Sequence, residues 1–140
     1  MIYVDTSVMV AMYTHETSSK SVDRWYSACM DELVSSVWCV TEFASALGIK
    51  QRTSQIDKSE ALIAWQQFER FCANDLQLLP AEPLTFHSAA VLTFDASSSL
   101  RAGDALHLAA AHDAKANSIA TLDKVLAKNA KRHGLEIIKF

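Results

Sequence analysis

Scarce glycine, proline and cysteine set the first limits on this chain. Three Gly and two Pro in 140 residues leave few sites for left-handed backbone or broken helices, which excludes a low-complexity, disordered or linker-joined polypeptide. The three cysteines, Cys29, Cys39 and Cys72, are odd in number and lack C-x-x-C spacing. They fit small buried hydrophobes in a reducing compartment rather than a disulfide framework or a thiolate metal site. Long apolar runs are missing too: Val8 to Tyr13 and Ala105 to Ala111, the latter with His107 inside, fall far short of the ~20 residues that span a bilayer. No basic segment opens the chain and Asp5 interrupts the apolar stretch a signal peptide requires, so the expectation is a cytoplasmic protein with no membrane contact. Positive charge is also in short supply. At a net charge of -3 there is no bulk basic footprint, and a polyanion must meet local cations instead.

What is present is apolar and periodic. A hydrophobic content of 50% against 21% charged residues predicts one compact domain over residues 1–140, large enough to bury roughly 70% of the surface its unfolded form exposes. Met1 to Val4 reads as a strand, with Thr6 or Ser7 capping a helix through Val8 to Tyr13. Val22, Trp25, Tyr26 and Cys29 place a helix over Lys20 to Met30, Leu33 to Val37 is a strand, and a helix follows from about Cys39 to Lys50. Asp57 and Glu60 form a capping-box pattern opening a helix that turns Leu62, Trp65, Phe68 and Cys72 to one side. Leu76 to Leu79 is a short strand, and Pro83 starts a helix that ends near Ser97 to Ser99. Ala102 to Ala116 is helical, Ser118 to Leu122 a strand, Lys124 to Arg132 a helix stopped by Gly134, and Leu135 to Ile138 a last strand. Strands alternating with helices predict an α/β/α sandwich around a mainly parallel sheet, with the functional site at the carboxyl ends of the strands.

Four acids stand where apolar segments end or helices begin: Asp5, Glu42, Asp104 and Asp123. Each has a simpler reading. Asp5 and Asp123 can cap the helix after a strand, Glu42 can interact with a helix dipole, and Asp104 can pair with Arg101. Convergence on one crevice would instead place each unit-charge pair at about 4 kcal/mol of repulsion for ~4 Å and an effective dielectric near 20. A divalent cation resolves that conflict, and oxygen ligands favour Mg²⁺, with Mn²⁺ as substitute, over Zn²⁺. His107 and His112 are five apart, which misses the i, i+4 spacing of a helical zinc pair. A lone histidine on an apolar helix is more often a hydrogen-bonded core residue, although His107 lies one turn beyond Asp104 and within reach of a catalytic role.

The segments Tyr3-Val-Asp-Thr-Ser-Val, Val34-Ser-Ser-Val-Trp-Cys-Val-Thr-Glu-Phe, Leu100-Arg-Ala-Gly-Asp-Ala-Leu-His-Leu-Ala and Ile119-Ala-Thr-Leu-Asp together resemble the PIN domain over essentially the whole chain. Within that family they are most similar to the small VapC-like toxins of toxin-antitoxin pairs. The resemblance implies a metal-dependent endoribonuclease, a homodimer, and an antitoxin partner that blocks the site. It implies that Asp5, Glu42, Asp104 and Asp123 are the catalytic, metal-holding quartet, with Thr6, Ser7 and Thr121 orienting carboxylates or waters. Arg101 and Lys124 are candidates for holding the RNA backbone, though Lys124, Lys128 and Lys131 equally suit a solvated helix face. Where an aromatic often follows the family's last Asp by three residues, this chain has Leu126.

Rival chemistries lack their motifs: there is no G-x-x-x-x-G-K-[ST], no G-x-S-x-G, and no acidic pair after the first strand as in a receiver domain. The remaining alternative is a non-cleaving PIN-like module that binds RNA or protein around a structural metal.

Overall fold

A computed structural model describes all residues, 1–140. Five strands form one all-parallel sheet: β1 (Ile2–Val4), β2 (Leu33–Ser36), β3 (Leu76–Leu79), β4 (Ser118–Ala120) and β5 (Glu136–Ile137), in the order β3-β2-β1-β4-β5. Seven helices connect them: α1 (Thr6–Tyr13), α2 (Ser19–Ala28), α3 (Trp38–Arg52), α4 (Lys58–Asn74), α5 (Pro83–Phe94), α6 (Ala102–Asp113) and α7 (Lys124–Arg132). A 3-10 turn, Ala96–Ser98, separates α5 from α6.

The pleat sorts the strand residues into two cores. Ile2, Val4, Leu33 and Ala120 face α1 to α4, whereas Tyr3, Val34 and Ile119 face α5 to α7. Strands covered on both faces must be apolar throughout, and β1 is buried at every position. After β3 the chain returns to lay β4 against the other side of β1. With right-handed crossovers, that reversal of direction moves the helices to the opposite face. It also opens a crevice above the carboxyl ends of β1 and β4.

Local signals account for most boundaries. Asp57 and Glu60 make the reciprocal capping box, with Glu60 N–H donating to Asp57 Oδ1 at 2.8 Å and Asp57 N–H donating to Glu60 Oε2 at 2.7 Å. Gly134 ends α7 at a φ of +86°, a conformation that costs glycine nothing. The buried face of α4 differs from expectation: Ala61, Ala64, Phe68 and Phe71 point inward, Trp65 and Cys72 are half-buried, and Leu62 is exposed. Phe68, common to both faces, stacks on Phe43 of α3 at 4.2 Å between ring centroids, and Phe71 packs against Tyr13 of α1 and Tyr26 of α2, which turns Phe71 inward in place of Cys72. The start of α1 also differs. Asp5 takes the N-cap position and Thr6 is the first helical residue, leaving the Thr6 and Ser7 hydroxyls for other partners.

Two substitutions test this packing by chemical denaturation. Phe68→Ala is expected to cost about 3–5 kcal/mol, because it removes a fully buried ring from the centre of the α1–α4 core. Asp57→Ala is expected to cost about 1 kcal/mol through loss of the cap alone.

Candidate metal centre

The strand ends position the acids. Asp5 directly follows β1 and is buried, its backbone N–H donating to Ala120 O at 2.9 Å as if extending the ladder. Asp123 lies beyond β4 and caps α7, its Oδ1 accepting from Leu126 N–H at 2.7 Å. Asp104 sits in the first turn of α6, ahead of seven consecutive buried residues, Ala105 to Ala111. Glu42 is in the second turn of α3, too far along for a first-turn dipole or capping role. All four line one cleft of about 290 Å³ together with Thr6, Ser7 and Ser45.

Hydroxyls dress this cleft. Ser7 and Thr121 donate to Oδ2 of Asp5, the latter at 2.8 Å. The same two oxygens accept from backbone N–H groups at the end of β4, Ser7 Oγ from Leu122 at 3.0 Å and Thr121 Oγ1 from Asp123 at 3.0 Å. Asp5 is thereby tied to the segment that carries Asp123. Thr6 donates to Oε2 of Glu42 at 2.7 Å. Arg101 and Lys124 are exposed beside Asp104 and Asp123, respectively, and neither makes an ion pair. The Asp104–Arg101 salt bridge considered from sequence is therefore absent.

His107 belongs to this group more closely than its sequence context suggests. It is 1% exposed, and its Nε2 meets Glu42 Oε2, lies 3.1 Å from Thr6 Oγ1 and 3.4 Å from Asp5 Oδ1. Ligand atoms of Asp5, Glu42 and His107 fall within 4.8 Å of one another. On the far side, His107 Nδ1 is 2.8 Å from the Tyr3 hydroxyl, which accepts from Ser36 N–H at 3.1 Å. Burial alone would pull the imidazole's pKa down. The Glu42 hydrogen bond and the Asp5, Glu42 and Asp104 charges outweigh it and raise the pKa. Burial likewise pushes Glu42 up, and the His107 hydrogen bond and charge, with Thr6 and Trp38, bring it below the usual carboxylate range. His107 thus offsets one of the negative charges as an internal partner.

Asp104 receives no such partner. Burial first, then the charges of Asp123 and Asp5, hold its carboxyl above the normal range. A half-buried acid pushed up by its acidic neighbours, in a cleft open to solvent, is a donor set suited to a hard divalent cation. The residues fit a metal of the Mg²⁺ or Mn²⁺ type.

Residues 2–132 match the family model described as the PIN domain. The chain belongs to the PIN domain family. No curated protein matches it in sequence, so likeness beyond the family rests on shape. This PIN domain is similar to Mycobacterium tuberculosis VapC20, a Sarcin-Ricin loop cleaving toxin, at 13% identity and a TM-score of 0.78, with 100% of both chains covered. It is similar to FitAcB from Neisseria gonorrhoeae at 16% identity and a TM-score of 0.72, covering 99% of this chain and 97% of that one. VapBC2 from Rickettsia felis, bound to a DNA fragment from their promoter, gives 14% identity and a TM-score of 0.63, covering 99% and 98%. At such identities these likenesses establish the fold.

Of the residues singled out in sequence, Asp5, Thr6, Ser7, Glu42, Asp104 and Asp123 share the cleft, and Thr121 binds Asp5 from behind. Tyr3 and Ser45 were not singled out. The Tyr3 hydroxyl is reached only through β1's pleat, which aims it at α6 beneath the acids, and no linear motif marks that. Because Asp104 is held against its acidic neighbours, metal-free Asp104→Asn is expected to melt above the native protein. Adding Mg²⁺ should raise the melting temperature of the native protein more than that of the variant, as read by calorimetry.

Proposed function

We propose that this PIN domain is a metal-dependent endoribonuclease that hydrolyses RNA phosphodiester bonds as the toxin of a toxin-antitoxin pair. The observation that carries the reading is the meeting of Asp5, Glu42, Asp104 and Asp123 around one open cleft. Asp5 and Asp104 would hold the main Mg²⁺ or Mn²⁺, with Asp123 and Glu42 completing the site directly or through water. When bound, the ion supplies Lewis-acid polarisation of the phosphate and makes a neighbouring water more acidic. The chain's own carboxylates then accept that water's proton, so no protein nucleophile is required. Ser7 and Thr121 fix the rotamer of Asp5, and Thr6 does the same for Glu42.

Arg101, exposed just before the helix that carries Asp104, and Lys124, exposed next to Asp123, bind the phosphate backbone. The antitoxin follows from family likeness: VapC20 is described as a toxin and VapBC2 was crystallised on promoter DNA. Leu84, Val91 and Phe94 of α5, the last 93% exposed, support a protein partner, either a second copy of this chain or an antitoxin.

Cleavage of structured RNA by purified, antitoxin-free protein in Mg²⁺ or Mn²⁺ tests the proposal. Asp5→Asn is expected to lower the rate at least about 100-fold. Equal rates would trace the activity to a contaminant and leave the alternative, a non-cleaving binding module. Arg101→Ala should weaken RNA binding and reduce the salt slope by about one, as measured by fluorescence anisotropy across a salt series.

A further inference from the structure

The cleft that gathers the acids is lined by three hydroxyl side chains, and they are not equally engaged. Ser7 donates to Oδ2 of Asp5 and Thr6 donates to Oε2 of Glu42, so both are committed to carboxylates. Ser45 lines the same cleft, is exposed, and bonds neither an acid nor its own helix. Helical hydroxyls commonly turn back on a carbonyl one turn earlier, as Thr93 does to Ala89 within α5 at 3.1 Å and Thr53 does to Ile49 at the end of α3 at 2.9 Å. Among the side chains lining the cleft, the Ser45 hydroxyl is thus the neutral donor and acceptor without a protein partner.

Ser45 stands three residues after Glu42 on α3, so the two share a helix face at about 5–6 Å between Cβ atoms. Beyond it the cleft wall turns apolar, with Ala46 and Ile49 of α3 and Val10 of α1. Carboxylates repel a phosphate except where a cation stands between them, so the group that lies over Ser45 and this apolar shelf is the sugar and base beside the scissile phosphate. Hydrolysis itself does not require that sugar to be ribose. The bond formed joins phosphorus to the water oxygen, the bond broken joins phosphorus to a sugar oxygen, and that oxygen leaves with a proton. The 2′-hydroxyl neither attacks nor departs, and selection of RNA over DNA has to come from a contact with it.

We propose that Ser45 selects ribonucleotides, its hydroxyl pairing with the ribose 2′-hydroxyl of the nucleotide beside the scissile phosphate while Val10, Ala46 and Ile49 support the same nucleoside. This assignment names a specificity-determining residue within the ribonuclease reading and rests on that reading. A group that is donor and acceptor at once matches a second hydroxyl in either direction, which an ionised carboxylate, an acceptor alone, does not. Ser45 is exposed, so pairing with substrate replaces a hydrogen bond to water, and the discrimination expected is that of a single neutral hydrogen bond, about fivefold.

Cleavage of a short RNA in Mn²⁺, beside the same strand carrying 2′-deoxyribose at the two nucleotides that flank the cut, tests the proposal. Native protein is expected to favour the all-ribose strand about fivefold. Ser45→Ala should keep the melting temperature, slow cleavage of the all-ribose strand by about that factor, and so lose the preference. A general structural defect slows both strands together and leaves their ratio in place. Affinity supplies a second readout. In the Asp5→Asn background, fluorescence anisotropy should show RNA bound about fivefold more tightly than the all-deoxy strand of the same base sequence, and adding Ser45→Ala should remove most of that difference. The assignment is overturned if the native protein treats the two strands alike, or if Ser45→Ala keeps the native ratio in either readout. Native protein that cuts no RNA would sink the ribonuclease reading alone, because the affinity ratio still judges Ser45.

Discussion

Repulsion among carboxylates organises the upper end of this molecule. A parallel sheet whose order reverses beside β1 brings the segments after β1 and β4 together, and the helices after β2 and β3 carry Glu42 and Asp104 to the same place. Water would screen such charges if they were exposed, but Asp5 is buried and Asp104 half-buried. The fold therefore has to supply donors, and it does so unevenly. Ser7, Thr121, Thr6 and the imidazole of His107 serve Asp5 and Glu42, while Asp104 is left with its charge opposed by its neighbours. An acid destabilised in this way gives part of its free energy back when a cation arrives, which is how a protein can hold a site at the expense of local stability.

His107 changes how that crowding is to be understood. Carboxylates that converge without any internal cation would require a metal for the fold itself to be tolerable. An imidazole beside Asp5 and Glu42, with Tyr3 holding its other nitrogen, offsets part of that charge from within the fold. A metal held here would then serve chemistry more than folding, and Asp104 is the acid whose environment would depend most on it. The chain from Ser36 N–H through the Tyr3 hydroxyl to the imidazole is buried along its whole length, which fixes the ring where a solvated histidine would turn freely.

Most of the fold was legible in local pattern. The capping box at Asp57, proline at the start of α5, glycine after α7 and the apolar runs of β1 and β4 each have a chemical meaning that does not depend on distant residues. The face of α4 was not legible, because apolar residues stand on both candidate faces and the rings of Tyr13 and Tyr26 that receive Phe71 lie on other helices. At the site the four acids could be named, since each interrupts an apolar segment at a cost that needs a reason. Their partners could not. Gly103 carries no charge, and its closeness to Glu42 arises from the approach of α3 to α6.

Composition and pattern by themselves determined an α/β chain with a parallel sheet, the identity of its acids, and the absence of rival motifs, because those depend on residue type and short-range spacing. Tertiary structure alone decided which oxygens are free. Hydrogen-bond capacity is spent pairwise between groups more than a hundred residues apart, as between Thr121 and Asp5 or Tyr3 and His107, and no local rule records where such groups meet.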